Sequence, residues 1–170
     1  MASKLAPNSF IVLSFFLFLM CITSTESQHI HFFFHDIVTG SNPTVATITP
    51  AQKGPPTLFG KTSMMDDKLT EGPDPSSREV GRAQGFYASA SLSELGLIQA
   101  MNLVFTDGAY KGSALTVLGR NLPGQTTSEM PVIGGTGQFR FARGYAIAKN
   151  YKLDYSTGNA IIEYDVYVRS

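Results

Sequence analysis

From Gln28 onward the chain is a succession of short runs rich in alternating, β-branched or aromatic residues, each cut off by Gly, Pro, Asn or Asp. Such runs occupy residues 28–38, 44–50, 59–70, 80–89, 97–106, 113–120, 139–147 and 161–168. Strands of this length, closed by turn residues at regular intervals, specify an all-β sandwich or barrel. A helical period is missing, and residues 91–99 allow at most a short turn. Residues 121–130, with Pro123-Gly124, read as a loop. Small residues at period two (Gly81, Ala83, Gly85) permit close approach of a neighbouring layer or leave room for a ligand.

The N-terminus is of another kind. Residues 11–22 form an apolar run preceded by Lys4 and followed by Thr23-Ser24-Thr25-Glu26-Ser27. The run is short for a bilayer span, and its flanks fit a secretory signal peptide over residues 1–27 with cleavage after Ser27. The remainder, residues 28–170, is one domain by length. Its charges balance, as do the thirteen basic and thirteen acidic residues of the whole chain. Neither nucleic acid nor a membrane surface is expected as a partner. The single cysteine, Cys21, lies in the leader, so the secreted domain rests on its core or on subunit contacts without a disulfide. Asn42-Pro43-Thr44 fails as a glycosylation acceptor because of its central proline.

Two charges stand out from their surroundings. Successive strand residues face opposite ways. In the first run Ile30, Phe32, Phe34, Asp36 and Val38 share one face, which places an acid among apolar side chains. In the run from Phe139, Arg143 falls between Phe141 and Tyr145, opposite a face of small residues. A buried, unpaired charge is too costly to keep. Asp36 and Arg143 are therefore expected to meet a ligand, each other or a wet cavity. The Gly134-Gly135-Thr136-Gly137 run lacks the Lys and Ser/Thr of a phosphate-binding loop and reads as a tight turn feeding a strand. His29, His31 and His35 share a face, but with no further Cys or His in the domain an outward row is favoured over a zinc site, and no cofactor motif appears. Asp66-Asp67 reads as a solvated strand end.

Several segments together resemble plant dirigent proteins: Phe34-His35-Asp36; Phe59-Gly60 with Asp66-Asp67 and Leu69-Thr70-Glu71-Gly72-Pro73; Val80-Gly81-Arg82-Ala83-Gln84-Gly85; Phe105-Thr106-Asp107-Gly108 with Tyr110-Lys111-Gly112-Ser113; residues 130–146; and Glu163-Tyr164-Asp165-Val166-Tyr167. The resemblance spans nearly the whole domain. It implies an eight-stranded antiparallel β-barrel with a central small-molecule cavity, assembled as a homotrimer and secreted to the apoplast. It implies a phenolic substrate and no oxidative centre. Members steer the coupling of phenoxy radicals, as in lignan biosynthesis, with a separate laccase-type oxidase supplying the radicals. Some relatives dehydrate an isoflavanol to a pterocarpan through a quinone methide. The family's barrel acid falls on Asp36 and its arginine on Arg143. Phe34, Tyr87, Tyr110, Phe141 and Tyr145 are the aromatic residues expected to contact the substrate. Gln138 follows the glycine run where lignan-forming members carry an acid, which shifts weight toward the dehydratase chemistry.

Overall fold

The computed structural model describes residues 27–169. The expected leader falls outside them, save Ser27. The described chain forms nine strands: β1 (Gln28–Asp36), β2 (Val45–Thr49), β3 (Thr62–Thr70), β4 (Glu79–Ser89), β5 (Leu97–Phe105), β6 (Ala114–Asn121), β7 (Thr127–Thr136), β8 (Arg143–Leu153) and β9 (Ala160–Arg169). One 3₁₀ turn, Gly137–Phe139, lies between β7 and β8. The strands pair antiparallel in the order β1-β9-β8-β7-β6-β5-β4-β3-β2, and β1 also pairs with β3. That last pairing closes an eight-stranded barrel and leaves β2 as an extra strand hydrogen-bonded along β3.

Alternation explains most of the wall. Ile30, Phe32 and Phe34 of β1, Met101, Leu103 and Phe105 of β5, and Tyr164, Val166 and Val168 of β9 are all buried in one core. The neighbouring positions point outward. On the outer face of β1, His29 bonds Asp165 at 2.7 Å and His31 bonds Glu163 at 3.1 Å, while Glu163 also takes Lys149 at 3.2 Å. His35 is covered instead, and its Nε2 lies 2.7 Å from the Thr70 hydroxyl.

Two sequence expectations change here. Residues 121–130 are loop only in part, because β7 starts at Thr127. The glycine run is strand as far as Thr136 and turn only at Gly137: Gly135 pairs with Leu115 and Gly134 with Thr116. Glycine reads as a turn signal because of its backbone freedom, yet here it serves contact. A Cβ on Gly135 would sit 2.6 Å from the Phe139 Cβ and 2.7 Å from the Ala114 carbonyl oxygen. The turn comes two residues after Gly135, where Gly137 has a positive φ of 63°.

The same logic applies at Gly85, whose added Cβ would lie 2.1 Å from the Ala100 carbonyl oxygen on β5. The obstruction is backbone and cannot rotate away. Gly85→Ala is expected to lose about 1–3 kcal/mol, the usual cost of overpacking, in urea unfolding of the domain. Gly124→Ala, which meets nothing within 4 Å, should be neutral in the same assay.

Candidate active site

The barrel interior differs between its two ends. At the end formed by the C-terminus of β5 and the β7–β8 turn, aromatic rings fill the space. Tyr110 packs on Phe139 with ring centroids 4.9 Å apart, and Phe105 lies 5.6 Å from Phe139. At the other end the inward positions of several strands are small or polar, among them Ser89, Gln99, Ser128, Ala148 and Ala160. These residues cannot meet across the barrel, and a cavity of about 390 Å³ remains. That volume suits one small ligand. Leu58, Leu95 and Tyr155, all substantially exposed, stand at its rim.

Asp36 ends β1 and projects into this cavity beside Phe34, with Tyr87 and Tyr164 also lining it. Its Oδ1 is buried without a hydrogen-bond partner. Burial pushes the Asp36 carboxyl up to about 7, against the opposing pull of the Lys61 ammonium. A substantial fraction of the acid is therefore neutral near pH 7. Lys61 lines the same cavity just before β3 and forms no ion pair among the described residues. Burial also pushes the Tyr87 and Tyr164 phenols up, and the negative charge of Asp36 adds to this. Both stay protonated as hydrogen-bond donors. On the same lining, Asn121 Nδ2 donates to Gln99 Oε1 at 2.7 Å, fixing an amide pair on the wall.

Of the residues expected from sequence, Phe34, Asp36 and Tyr87 come together at the cavity. Tyr110, Phe141, Arg143 and Tyr145 do not. Tyr110 belongs to the aromatic plug. Phe141 is 84% exposed with φ of 67°, and Tyr145 stacks outside the barrel on Tyr167 at 5.1 Å. The Arg143 guanidinium donates to the Ile133 carbonyl at 2.8 Å and the Ala142 carbonyl at 2.9 Å, on the outer surface. The cause is local. The 3₁₀ turn and the left-handed Phe141 reset the alternation, so that Phe139 points in while Phe141 and Arg143 point out. Along β8 the small residues Ala146 and Ala148 form the inner face. Gln138 lies at this same end, its amide donating to the Ala109 carbonyl at 2.7 Å.

Sequence reasoning passed over Lys61, Tyr164 and Asp67. Asp66 is a solvated strand residue, bonded to Arg82 at 2.7 Å, whereas Asp67 is fully buried. The parity of β3 carries that signal, since Ser63, Met65, Asp67 and Leu69 share the inner face. Among the described residues no group of three or more His, Cys, Asp or Glu is placed to hold a metal ion. No helix among them is long and apolar enough to cross a membrane.

Comparison with known proteins agrees with this architecture. The family model for Dirigent-like protein matches residues 27–169. Dirigent protein 21 of Arabidopsis thaliana is 50% identical over 142 residues, which cover 82% of this chain and 75% of that protein. Pterocarpan synthase 1 of Glycine max is 51% identical over 146 residues, covering 84% of this chain and 78% of that one. The solved structure of the pterocarpan synthase dirigent protein GePTS1 superimposes with a TM-score of 0.80 at 46% identity, covering 84% of each chain. The closed eight-stranded barrel, its one-ended cavity and these matches across the whole described length establish that the chain belongs to the dirigent family.

Proposed function

We propose that the protein binds a phenolic quinone-methide precursor in the cavity and directs the ring closure that follows, with Asp36 as the proton carrier. The observation that carries this reading is a buried carboxyl, its Oδ1 without a hydrogen-bond partner, in a largely apolar cup that an unpaired lysine also lines; burial raises that carboxyl to about 7. An acid in that state donates a proton and later takes one back. The substrate class is an isoflavanol, as the similarity to pterocarpan synthases supports. The benzylic hydroxyl takes the Asp36 proton and leaves as water, and the C–O bond breaks. The phenol para to it gives up its proton to solvent water, which later returns one, and becomes the quinone methide carbonyl. Lys61 stabilises negative charge on that oxygen. The hydroxyl of the second ring then adds to the benzylic carbon. Its proton returns to Asp36, and the first phenol regains the one it lost, so the net change is loss of one water. Phe34, Tyr87 and Tyr164 hold the rings. Holding one face closed by 1.4 kcal/mol already selects about tenfold between stereoisomers.

A second reading, steering of phenoxy radicals made by a separate oxidase, uses the same cavity. The similarity to Dirigent protein 21 supports it, and its closing step also traps a quinone methide. Secretion to the apoplast through the leader of residues 1–27 accompanies either reading.

The outer wall supports self-assembly. Ala46, Met64, Phe86, Ala100 and Leu118 follow one another across β2 to β6 in ladder register, and Met64 is 46% exposed. A row of this kind is what a subunit interface covers. The wild-type domain is expected to sediment as a trimer, and the double variant Met64→Glu, Phe86→Glu as a folded monomer. A monomeric wild type would remove the assembly from the proposal.

Catalysis is tested by adding isoflavanol to the purified domain without oxidant and following the product by chiral chromatography. Asp36→Asn is expected to lower kcat by about 100-fold or more. Arg143→Leu should leave it near the wild-type value. Full activity in Asp36→Asn, or loss in a folded Arg143→Leu, would contradict the assignment. A wild type inert toward isoflavanol that gives enantiomeric excess in oxidant-driven coupling of coniferyl alcohol would select the second reading.

A further inference from the structure

The seam that closes the barrel places a second acid beside the first. In the β1–β3 ladder Phe33 faces Thr70, Phe34 faces Leu69 and His35 faces Lys68. One more step along each strand meets Asp36 and Asp67. Both belong to the inward-facing sets of their strands. Side chains directly opposite in an antiparallel pair have Cβ atoms about 4.5–5.5 Å apart, and Asp36 and Asp67 lie just past the last pair of that ladder, near enough for the charge of Asp36 to act on Asp67.

Asp67 is 0% exposed. Its Oδ1 accepts a hydrogen bond from the Thr44 hydroxyl. That hydroxyl accepts in turn from the Ile37 amide at 3.2 Å, and the Thr44 amide donates to the Ile37 carbonyl at 2.9 Å. Thr44 is thereby fixed, and its one hydrogen is committed to Asp67. Asp67 Oδ2 is buried with no partner, as is Asp36 Oδ1. Two buried carboxylate oxygens without donors, on adjacent inward positions of one seam, would each carry an uncompensated desolvation cost. A single proton held between them satisfies both oxygens and removes the repulsion of two like charges.

We propose that Asp67 is a positioning residue that shares one proton with Asp36 across the β1–β3 seam, so that the acid presented to the substrate is the carboxyl pair. The proposal deepens the reading of Asp36 given above and rests on it for its catalytic consequence. When Asp36 gives its proton to the leaving hydroxyl, its negative charge develops beside Asp67, Lys61 and the phenols of Tyr87 and Tyr164. Arg82 and Asp66 act on Asp67 from the outer face with opposite signs. Burial first, and then the charge of Asp36, raise Asp67 to about 8. The pair therefore retains a proton at a pH where separate, solvated aspartates hold none.

The test uses the domain with Asp36→Asn, Asp67→Asn, both together, and Thr44→Val. In the pH profile of kcat/KM for isoflavanol dehydration, the basic limb of Asp67→Asn should move down by one pH unit or more. Thr44→Val removes a bond that favours the ionised form, so its basic limb should move up. An unshifted limb in both folded variants would overturn the proposal while leaving the role of Asp36 intact. Melting temperature against pH gives a readout free of any assumption about substrate. Both carboxyls are raised from 3.8, so between about pH 4 and 8 the folded pair holds at least one proton that the unfolded chain has released. Stability should fall as pH rises through that window. For a shared proton, the slopes lost in the two single variants should sum to more than the slope lost in the double variant. Strictly additive losses would show that the two acids titrate independently and would overturn the pairing.

Discussion

Closure of the barrel between β1 and β3 is the constraint on which the rest depends. Phe33, Phe34 and His35 meet Thr70, Leu69 and Lys68 along that seam, and without it the sheet would be open, with β1 as an edge and the second half of β3 unpaired on that side. Closure converts the alternating inner faces into one core. It also sets Asp36 where β1 leaves the wall, at the end where small side chains leave space. The same seam buries Asp67. An open sheet would solvate both acids, and their carboxyls would titrate in the ordinary aspartate range.

The two ends of the barrel divide stability from chemistry. Phe105, Tyr110 and Phe139 plug one end, and the buried apolar side chains of β1, β5 and β9 run up from them. The other end gives up packing, with Ser89, Ser128, Ala148 and Ala160 where larger residues would fill the space. Polar groups there are few and fixed. Asn121 holds Gln99, and Thr44 holds Asp67. An acid in such a place stays partly neutral because the surroundings solvate its charge poorly, and that is the state a proton donor needs at neutral pH.

Much of this was legible in the sequence. Period-two alternation found Ile30, Phe32, Phe34 and Asp36 on one face, and the turn residues between the runs marked an all-β fold. The same reasoning failed across residues 139–147. Alternation carries across a segment only while the backbone stays extended, and the turn at Gly137 with the left-handed Phe141 broke the count. Unbroken alternation puts Arg143 and Tyr145 inside, whereas they lie outside. The face of small residues was the inner one, since Ala146 and Ala148 are buried. Asp67 escapes for another reason: an acidic pair in sequence reads as one solvated unit, although neighbouring strand residues face opposite ways. Lys61 had no pattern to find, because it precedes β3 and reaches the cavity only through the fold.

The central claim is that Asp36 is a cavity acid kept neutral by burial. It is tested most directly by carbon-detected NMR titration of the aspartate side-chain carboxyls in the unliganded domain, with Asp36 assigned from the spectrum of Asp36→Asn. The account predicts that the Asp36 resonance titrates near pH 7, far above the 3.8 of a solvated aspartate. A midpoint near 4 would mean that the carboxyl is ionised and solvated at working pH. The proton-carrier role would then have to pass to another group.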